Sequence, residues 1–145
     1  VQDGPEVAEL RLVVTAPDYD EALRFYRDVL GLTEQAAFSS PGGRVTILAA
    51  GRATLELADP AHAAYIDTVE VGRPVAGPIR VAFGVDDSTT ATARLTDAGA
   101  TLIAPPTRTP WQSLNSRLEA PAGLQLTLFS DLPDAEGAAA GAPAG

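Results

Sequence analysis

Apolar positions in this chain fall into short runs of period two separated by stripes of period three to four, and the order of the two patterns occurs twice. Leu10, Leu12 and Val14 alternate with Glu9, Arg11 and Val13, the spacing of a strand with one face against a core, and Ala16-Pro17-Asp18 ends the run in a turn. Asp18 and Glu21 form a capping-box pair, after which Ala22, Phe25, Tyr26 and Val29 fall at i, i+3, i+4 and i+7 before Gly31, predicting a helix of about three turns with one apolar face. Two β-rich runs, Arg44 to Ala49 and Ala53 to Ala58, are joined by Ala50-Gly51-Arg52 as a hairpin, with room near Phe38 for one more short strand. The order then recurs. Ile79 to Val85 is a strand, Asp86-Asp87-Ser88 a turn and cap, Ala91, Leu95 and Ala98 a helical stripe ended by Gly99, and Thr101 to Ile103, Leu114 to Glu119 and Leu124 to Phe129 supply three further strands.

Setting Pro17 against Asp86 aligns Asp18 with Asp87, Ala22 with Ala91 and Arg11 with Arg80, and Leu55-Glu56-Leu57 falls on Leu126-Thr127-Leu128. The pattern is an α+β chain of two tandem βαβββ modules. Module one spans residues 8–59 and module two residues 79–130. Between them, residues 60–78 hold a short helix, capped by Asp59-Pro60 and read to Tyr65, and a Gly- and Pro-rich linker from Gly72 to Pro78. Together they make one domain over residues 1–130. Residues 131–145, mostly Ala, Gly, Pro and acid, are expected to form a loose tail.

Composition narrows the chemistry. A chain of 145 residues holds one core and not two. No cysteine is present, so disulfides, thiolate metal sites and thiol nucleophiles are excluded, and His62 is the single histidine, so no site takes two imidazoles from one chain. All basic residues are arginine, ten of them against nineteen acids, for a formal net charge of -9. That sign argues against nucleic acid as a partner, which needs a basic stripe to displace phosphate counterions. No apolar run approaches the roughly 20 residues of a membrane span, and no charged segment followed by an apolar one opens the chain, so no membrane partner and a cytoplasmic location are expected.

The duplicated unit, with Pro17-Asp18-Tyr19-Asp20-Glu21-Ala22-Leu23-Arg24-Phe25-Tyr26-Arg27-Asp28-Val29-Leu30-Gly31-Leu32 at its first helix, resembles the glyoxalase, bleomycin-resistance and extradiol-dioxygenase superfamily, the vicinal oxygen chelate fold, over residues 8 to 130. Pro110-Trp111-Gln112-Ser113, followed by Arg117-Leu118 and Ala120-Pro121-Ala122-Gly123, is similar to the second-module hairpin of bleomycin-resistance members, with Gln112 where glycine is common. The resemblance implies curved mixed sheets around a cavity and a domain-exchanged homodimer. It also implies four metal-ligand positions, one in the first and one in the last strand of each module, which fall here on Arg11, Glu56, Arg80 and Thr127. Only Glu56 suits a divalent ion, since guanidinium has no lone pair to give and a lone hydroxyl is a poor ligand. A metal-free, cofactor-free member with no catalytic residue is therefore expected.

A two-residue period then puts Arg11, Val13, Thr54, Glu56, Arg80, Ala82, Gln125, Thr127 and Phe129 on the concave face, and Leu10, Leu12, Leu55, Leu57, Val81, Phe83, Leu126 and Leu128 toward the helices. The ligand-binding set is Trp111 and Phe38 as aromatic walls over Arg11, Glu56, Arg80, Thr127, Val13 and Phe129. Arg11, Glu56 and Arg80 either orient a ligand's oxygens or form an internal Arg-Glu-Arg network. Trp111 either stacks on a ligand or covers the end of the sheet or a dimer seam. His62 and Tyr65 are expected to face a partner chain or solvent. The resemblance to bleomycin-resistance members implies sequestration of a hydrophobic aromatic natural product, such as a glycopeptide, enediyne or other polycyclic DNA-damaging compound. The alternatives are a lyase, isomerase or dioxygenase on the same fold, and a dimeric structural module without ligand.

Overall fold

Alternation of β-branched and leucine residues with polar ones produces eight strands, and an aspartate caps each of the three helices. The structure, a computed structural model, describes residues 7–40 and 42–132. The first repeat is β1 (Val7–Thr15), α1 (Tyr19–Leu23) running on as a π-helical turn (Arg24–Val29), β2 (Thr33–Ser40), β3 (Gly43–Ala50) and β4 (Ala53–Ala58). After α2 (Pro60–Glu70) the second repeat is β5 (Ile79–Val85), α3 (Ser88–Asp97), β6 (Thr101–Arg108), β7 (Ser113–Ala120) and β8 (Leu124–Asp131). The Oδ1 atoms of Asp18, Asp59 and Asp87 accept from the N–H of Glu21 (3.1 Å), His62 (2.8 Å) and Thr90 (3.2 Å), satisfying donors that a first turn leaves free.

All eight strands join one curved mixed sheet in the order β2-β3-β4-β1-β5-β8-β7-β6. Within each repeat the first and last strands run parallel, β1 with β4 and β5 with β8, and the rest pair antiparallel. The repeats meet where β1 pairs antiparallel with β5, so the sheet is complete within a single chain. This is the α+β, paired-module architecture of the vicinal oxygen chelate fold. Among the described residues no helix is long and apolar enough to cross a membrane.

Register fixes the two faces as the alternation predicts. Val13 lies opposite both Glu56 and Arg80, Arg11 opposite Thr54 and Ala82, and Ala82 opposite Thr127. On the other face lie the apolar clusters: Tyr19 of α1 on Leu48 and Leu57, and Ala91 of α3 with Val85, Leu118 and Leu128. The concave face is covered by α2, which packs across β3 and β4 of one repeat and β6 and β7 of the other.

Four elements depart from expectation. The first helix widens after Leu23, with Leu30 N–H reaching the Phe25 carbonyl at 2.8 Å, and the altered spacing turns Phe25 and Val29 outward while Tyr26 stays on the core. The second helix continues to Glu70 and not merely to Tyr65. Strand β6 runs on through Pro105 and Pro106, beyond the predicted span of Thr101 to Ile103. It is the edge strand, its pairing with β7 shifts between Ala104 and Thr107, and an absent N–H costs nothing there. Finally, Asp131 ends β8 and Leu132 is buried, donating its N–H to the Gln112 carbonyl at 3.2 Å, so these two positions are not tail. The remainder of the expected tail lies outside the described residues.

Candidate functional site

Arg11, Glu56, Arg80 and Thr127 come from β1, β4, β5 and β8, four neighbouring strands, and share the concave face around Val13. They do not form one continuous Arg-Glu-Arg chain of hydrogen bonds. The Arg11 guanidinium is held by Glu9, Nε to Oε2 at 2.7 Å and Nη2 to Oε1 at 3.3 Å, and lies 5.1 Å over the Phe129 ring. Phe129 reaches this position because Gly84 stands opposite it; a Cβ there would sit 3.0 Å from the ring. Arg11 Nη1 comes only to 3.7 Å from Glu56 Oε1, an ion pair without a hydrogen bond. Arg80, almost wholly buried, donates from Nη1 to Thr127 Oγ1 at 2.7 Å.

Glu56 is 0% exposed, and neither carboxyl oxygen has a hydrogen-bond partner. Burial pushes its carboxyl up to about 7, against the opposing pull of the Arg80 and Arg11 charges. Thr54 Oγ1, Arg11 Nη1 and both ring nitrogens of His62 are buried without a hydrogen-bond partner as well. His62 is therefore not turned to solvent or to a second chain as expected: it is 2% exposed within the chain, and burial lowers its imidazole below the usual range.

The strongest polar network was not foreseen. Arg117 of β7, 0% exposed, is gripped by two carboxylates of α2: Nη1 donates to Asp67 Oδ1 at 2.8 Å and Nη2 to Glu70 Oε1 at 2.7 Å. Asn115 Nδ2 donates to Glu70 Oε2 at 2.7 Å, and Thr127 Oγ1 donates to Glu70 Oε1 at 3.4 Å. Asp67 Oδ2 also takes the N–H groups of Val75 and Ala76, both at 2.8 Å, tying the linker after α2 to the same face. Burial works to raise the Asp67 carboxyl, and those two N–H groups together with Arg117 overcome it, leaving the group below the ordinary carboxylate range. Alternation along β7 was the available signal, since Arg117 sits opposite Thr127 and so shares its face.

At the rim, the ring that meets Trp111 is Tyr65 of α2, with centroids 6.4 Å apart, and not Phe38. Tyr65 also presses on the β2–β3 turn, where a Cβ at Gly42 would fall 2.6 Å from its own Cβ. Phe38 lies on the edge strand β2 at the opposite end of the strand order from β6, and lines a groove of about 290 Å³ with Leu23, Arg27 and Arg44. The two aromatic walls are thus on different parts of the surface. Gln112 adopts φ 66°, the left-handed backbone that explains why glycine suits that place. With α2 seated, the space remaining above Val13 and Arg80 is about 10 Å³, at the lower limit for one water molecule.

The four positions at the sheet centre do not fit a divalent metal: guanidiniums stand at two, a threonine hydroxyl at the third, and only Glu56 offers a carboxylate. Among the described residues no three His, Asp or Glu side chains converge as ligands would.

A twofold-repeated βαβββ chain with one continuous sheet and a polar concave face defines a paired-module α+β protein. The sequence profile of the Glyoxalase/Bleomycin resistance protein/Dioxygenase superfamily matches residues 10–128, and the chain belongs to that superfamily. Among solved structures it is similar to a Streptomyces coelicolor methylmalonyl-CoA epimerase in complex with 2-nitronate-propionyl-CoA, at TM-score 0.64 and 21% identity, covering 95% of this chain and 100% of that one. It is also similar to a glyoxalase/bleomycin resistance protein/dioxygenase superfamily member from Vibrio splendidus 12B01, at TM-score 0.62 and 13% identity over 85% of this chain and 98% of that one. A hypothetical protein from Bacillus halodurans C-125 aligns at TM-score 0.61 and 18% identity over 91% and 98% of the two chains. At these identities the likeness establishes the fold alone. No curated protein matches the chain in sequence.

Proposed function

We propose that the chain is a metal-independent binding protein that sequesters a hydrophobic aromatic small molecule on its concave face, as antibiotic-binding members of its superfamily do. The observation that carries this proposal is the donor set at the sheet centre: Arg11 and Arg80 bring fixed positive charge and forked donors to the place where a metal-using relative would need lone pairs. Buried polar atoms of Arg11, Thr54, Glu56 and His62 without hydrogen-bond partners support it, because such groups are costly unless something bonds them. Trp111 at the rim, half-buried beside Tyr65, supplies an aromatic surface. The test is titration of Trp111 emission with polycyclic aromatic antibiotics, alongside Trp111→Ala. An aromatic wall contributes on the order of 1 kcal/mol beyond its area burial, which adds a few more at about 25 cal/mol per Å², so the substitution is expected to weaken binding by roughly ten- to a thousand-fold. Unchanged affinity in Trp111→Ala moves the pocket away from this rim.

One observation favours a second reading. A buried carboxyl poised at about 7, as Glu56 is, suits a general base that removes a proton beside a carbonyl. Epimerases are among the similar solved structures, so the assay is deuterium incorporation from solvent into an acyl thioester, compared with Glu56→Gln. Incorporation lost in that variant favours the enzyme over the binding protein.

A further inference from the structure

The inner face of α2 is unusual for a helix that closes a core. Its buried residues are His62, Ile66, Asp67 and Glu70, three of them ionisable. Helices α1 and α3 cover apolar clusters, whereas α2 is held chiefly through charge. Beneath it, the concave face carries three guanidiniums, Arg11, Arg80 and Arg117, against two carboxyls of the sheet, Glu56 and the Glu9 that already pairs with Arg11, in a chain whose net charge is -9. The carboxylates of Asp67 and Glu70 offset that local positive charge.

The fit is one-sided. Over β7 and β8 every carboxylate oxygen of Asp67 and Glu70 has a donor, from Arg117, Asn115, Thr127 or the linker N–H groups. Over β1 and β4 the same helix leaves Glu56, Thr54, Arg11 Nη1 and its own His62 without hydrogen-bond partners. A helix acting purely as a core element has no reason to bury so many unpaired groups, whereas a helix occupying a ligand's place need satisfy only part of the site. Its grip also rests on buried ion pairs, whose attraction is largely offset by the cost of desolvating them.

Resting on the reading of the concave face as the binding face, we propose that Asp67 and Glu70 stand in for the carboxylates of the ligand itself. The site then takes an aromatic molecule bearing two carboxylates, which displaces α2 and the linker over residues 71–78. One ligand carboxylate replaces Glu70 on Arg117 and Asn115, the other replaces Asp67 on Arg117, and the ring lies over the space that α2 fills. The ligand class is thus dianionic, opposite to what the acidic net charge of the whole chain favours.

Benzene-1,3-dicarboxylate and its neutral diamide are the probes, since they share a ring and differ in charge. Trp111, the single tryptophan, rests against Tyr65 of α2 and reports displacement of the helix through its emission. The expected result is a saturable change with the dicarboxylate, binding at least tenfold weaker with the diamide, and faster amide hydrogen exchange over residues 60–78 when the dicarboxylate is bound. Asp67→Asn combined with Glu70→Gln weakens the internal competitor and is expected to bind the dicarboxylate at least tenfold more tightly than the unmodified chain. If that variant does not fold, the comparison of the two probes and the exchange measurement on the unmodified chain decide alone. Equal binding of dicarboxylate and diamide overturns the inference and leaves the aromatic-binding function standing. Dicarboxylate binding that leaves exchange over 60–78 unchanged also overturns it, as does no dicarboxylate binding at all. If in addition none of the aromatic antibiotics binds, the proposed function falls with it.

Discussion

Glu56 holds its proton in the folded chain long after the unfolded chain has released it. Its carboxyl sits at about 7 when buried against an ordinary value of 4.5. Between those two values the folded state binds more protons than the unfolded one, so stability falls as pH rises through the window and levels off above 7, by about 3 kcal/mol in all. His62 works in the opposite sense: burial lowers its imidazole, so the stability it contributes is lost as pH falls below its unfolded value near 6.5. The difference between Glu56→Gln and the unmodified chain isolates the first effect. Urea unfolding is expected to show the variant gaining about 3 kcal/mol relative to the unmodified chain between pH 5 and pH 8, and a difference that does not vary with pH refutes the assignment. Arg117 tests the other side of the face. Removing it by Arg117→Ala strands the carboxylates of Asp67 and Glu70 and is expected to cost about 3–5 kcal/mol, while Arg117→Met made together with Asp67→Asn and Glu70→Gln removes the charges as a set and costs far less. The gathering of Arg11, Glu56, Arg80 and Thr127 was legible through the resemblance, which picks out the four positions, and alternation then sets them on one face. The grip on Arg117 was not, because its partners Asp67 and Glu70 are acids, which a pattern of polarity assigns to solvent.

At the scale of elements, the same physics separates what was legible from what was not. Strands β4 and β5 occupy the spans that alternation predicts, since one buried face imposes a period of two on the sequence. Helix α2 hides its extent because its inner face is built from Asp67 and Glu70, residues that a pattern of polarity assigns to solvent. The π-helical turn at Arg24–Val29 leaves the sequence looking like an ordinary amphipathic helix, since Ala22, Phe25, Tyr26 and Val29 keep their spacing while the backbone changes its pitch. The seat of α2 depends on Gly43 at the start of β3. Its φ is +127°, and a Cβ there would lie 2.3 Å from Asp59 Oδ1 and 2.5 Å from the His62 nitrogen, the two groups that make the cap of α2. Gly43→Ala therefore combines an unfavourable backbone with loss of a cap, and a cost of about 2–3 kcal/mol is expected in urea unfolding, with faster hydrogen exchange at the first turn of α2. Gly51→Ala is the control: its φ of +66° is also left-handed, nothing lies within 4 Å, and only about 1 kcal/mol should be lost.

For the whole molecule, the question is which surface a second copy would cover. The resemblance implies a domain-exchanged homodimer around a cavity, but here β1 and β5 pair within one chain and α2 occupies the concave face. Apolar surface is exposed instead on the opposite side, at the seam between the repeats. Helix α1 packs toward β4, and α3 toward β6, β7 and β8, which leaves the centre of the sheet uncovered. There Leu10, Leu12 and Ile79 are 40%, 36% and 50% exposed, and register sets them in one patch with the half-buried Val81 and Phe83. Contiguous apolar surface of this kind, on a strand pair with charged residues turned to the far face, fits a twofold contact with a second copy. Two chains of charge -9 repel over a distance set by screening, so association through this patch strengthens as salt is added. Sedimentation equilibrium is expected to give twice 14.9 kDa, with a dissociation constant that falls between 20 mM and 200 mM salt. Leu12→Glu combined with Ile79→Glu should return the mass to 14.9 kDa with an unchanged circular dichroism spectrum, since both side chains lie at the patch and outside the two apolar clusters. A chain that sediments as a monomer at micromolar concentration in 200 mM salt removes the dimer, and with it any need for a partner at the seam.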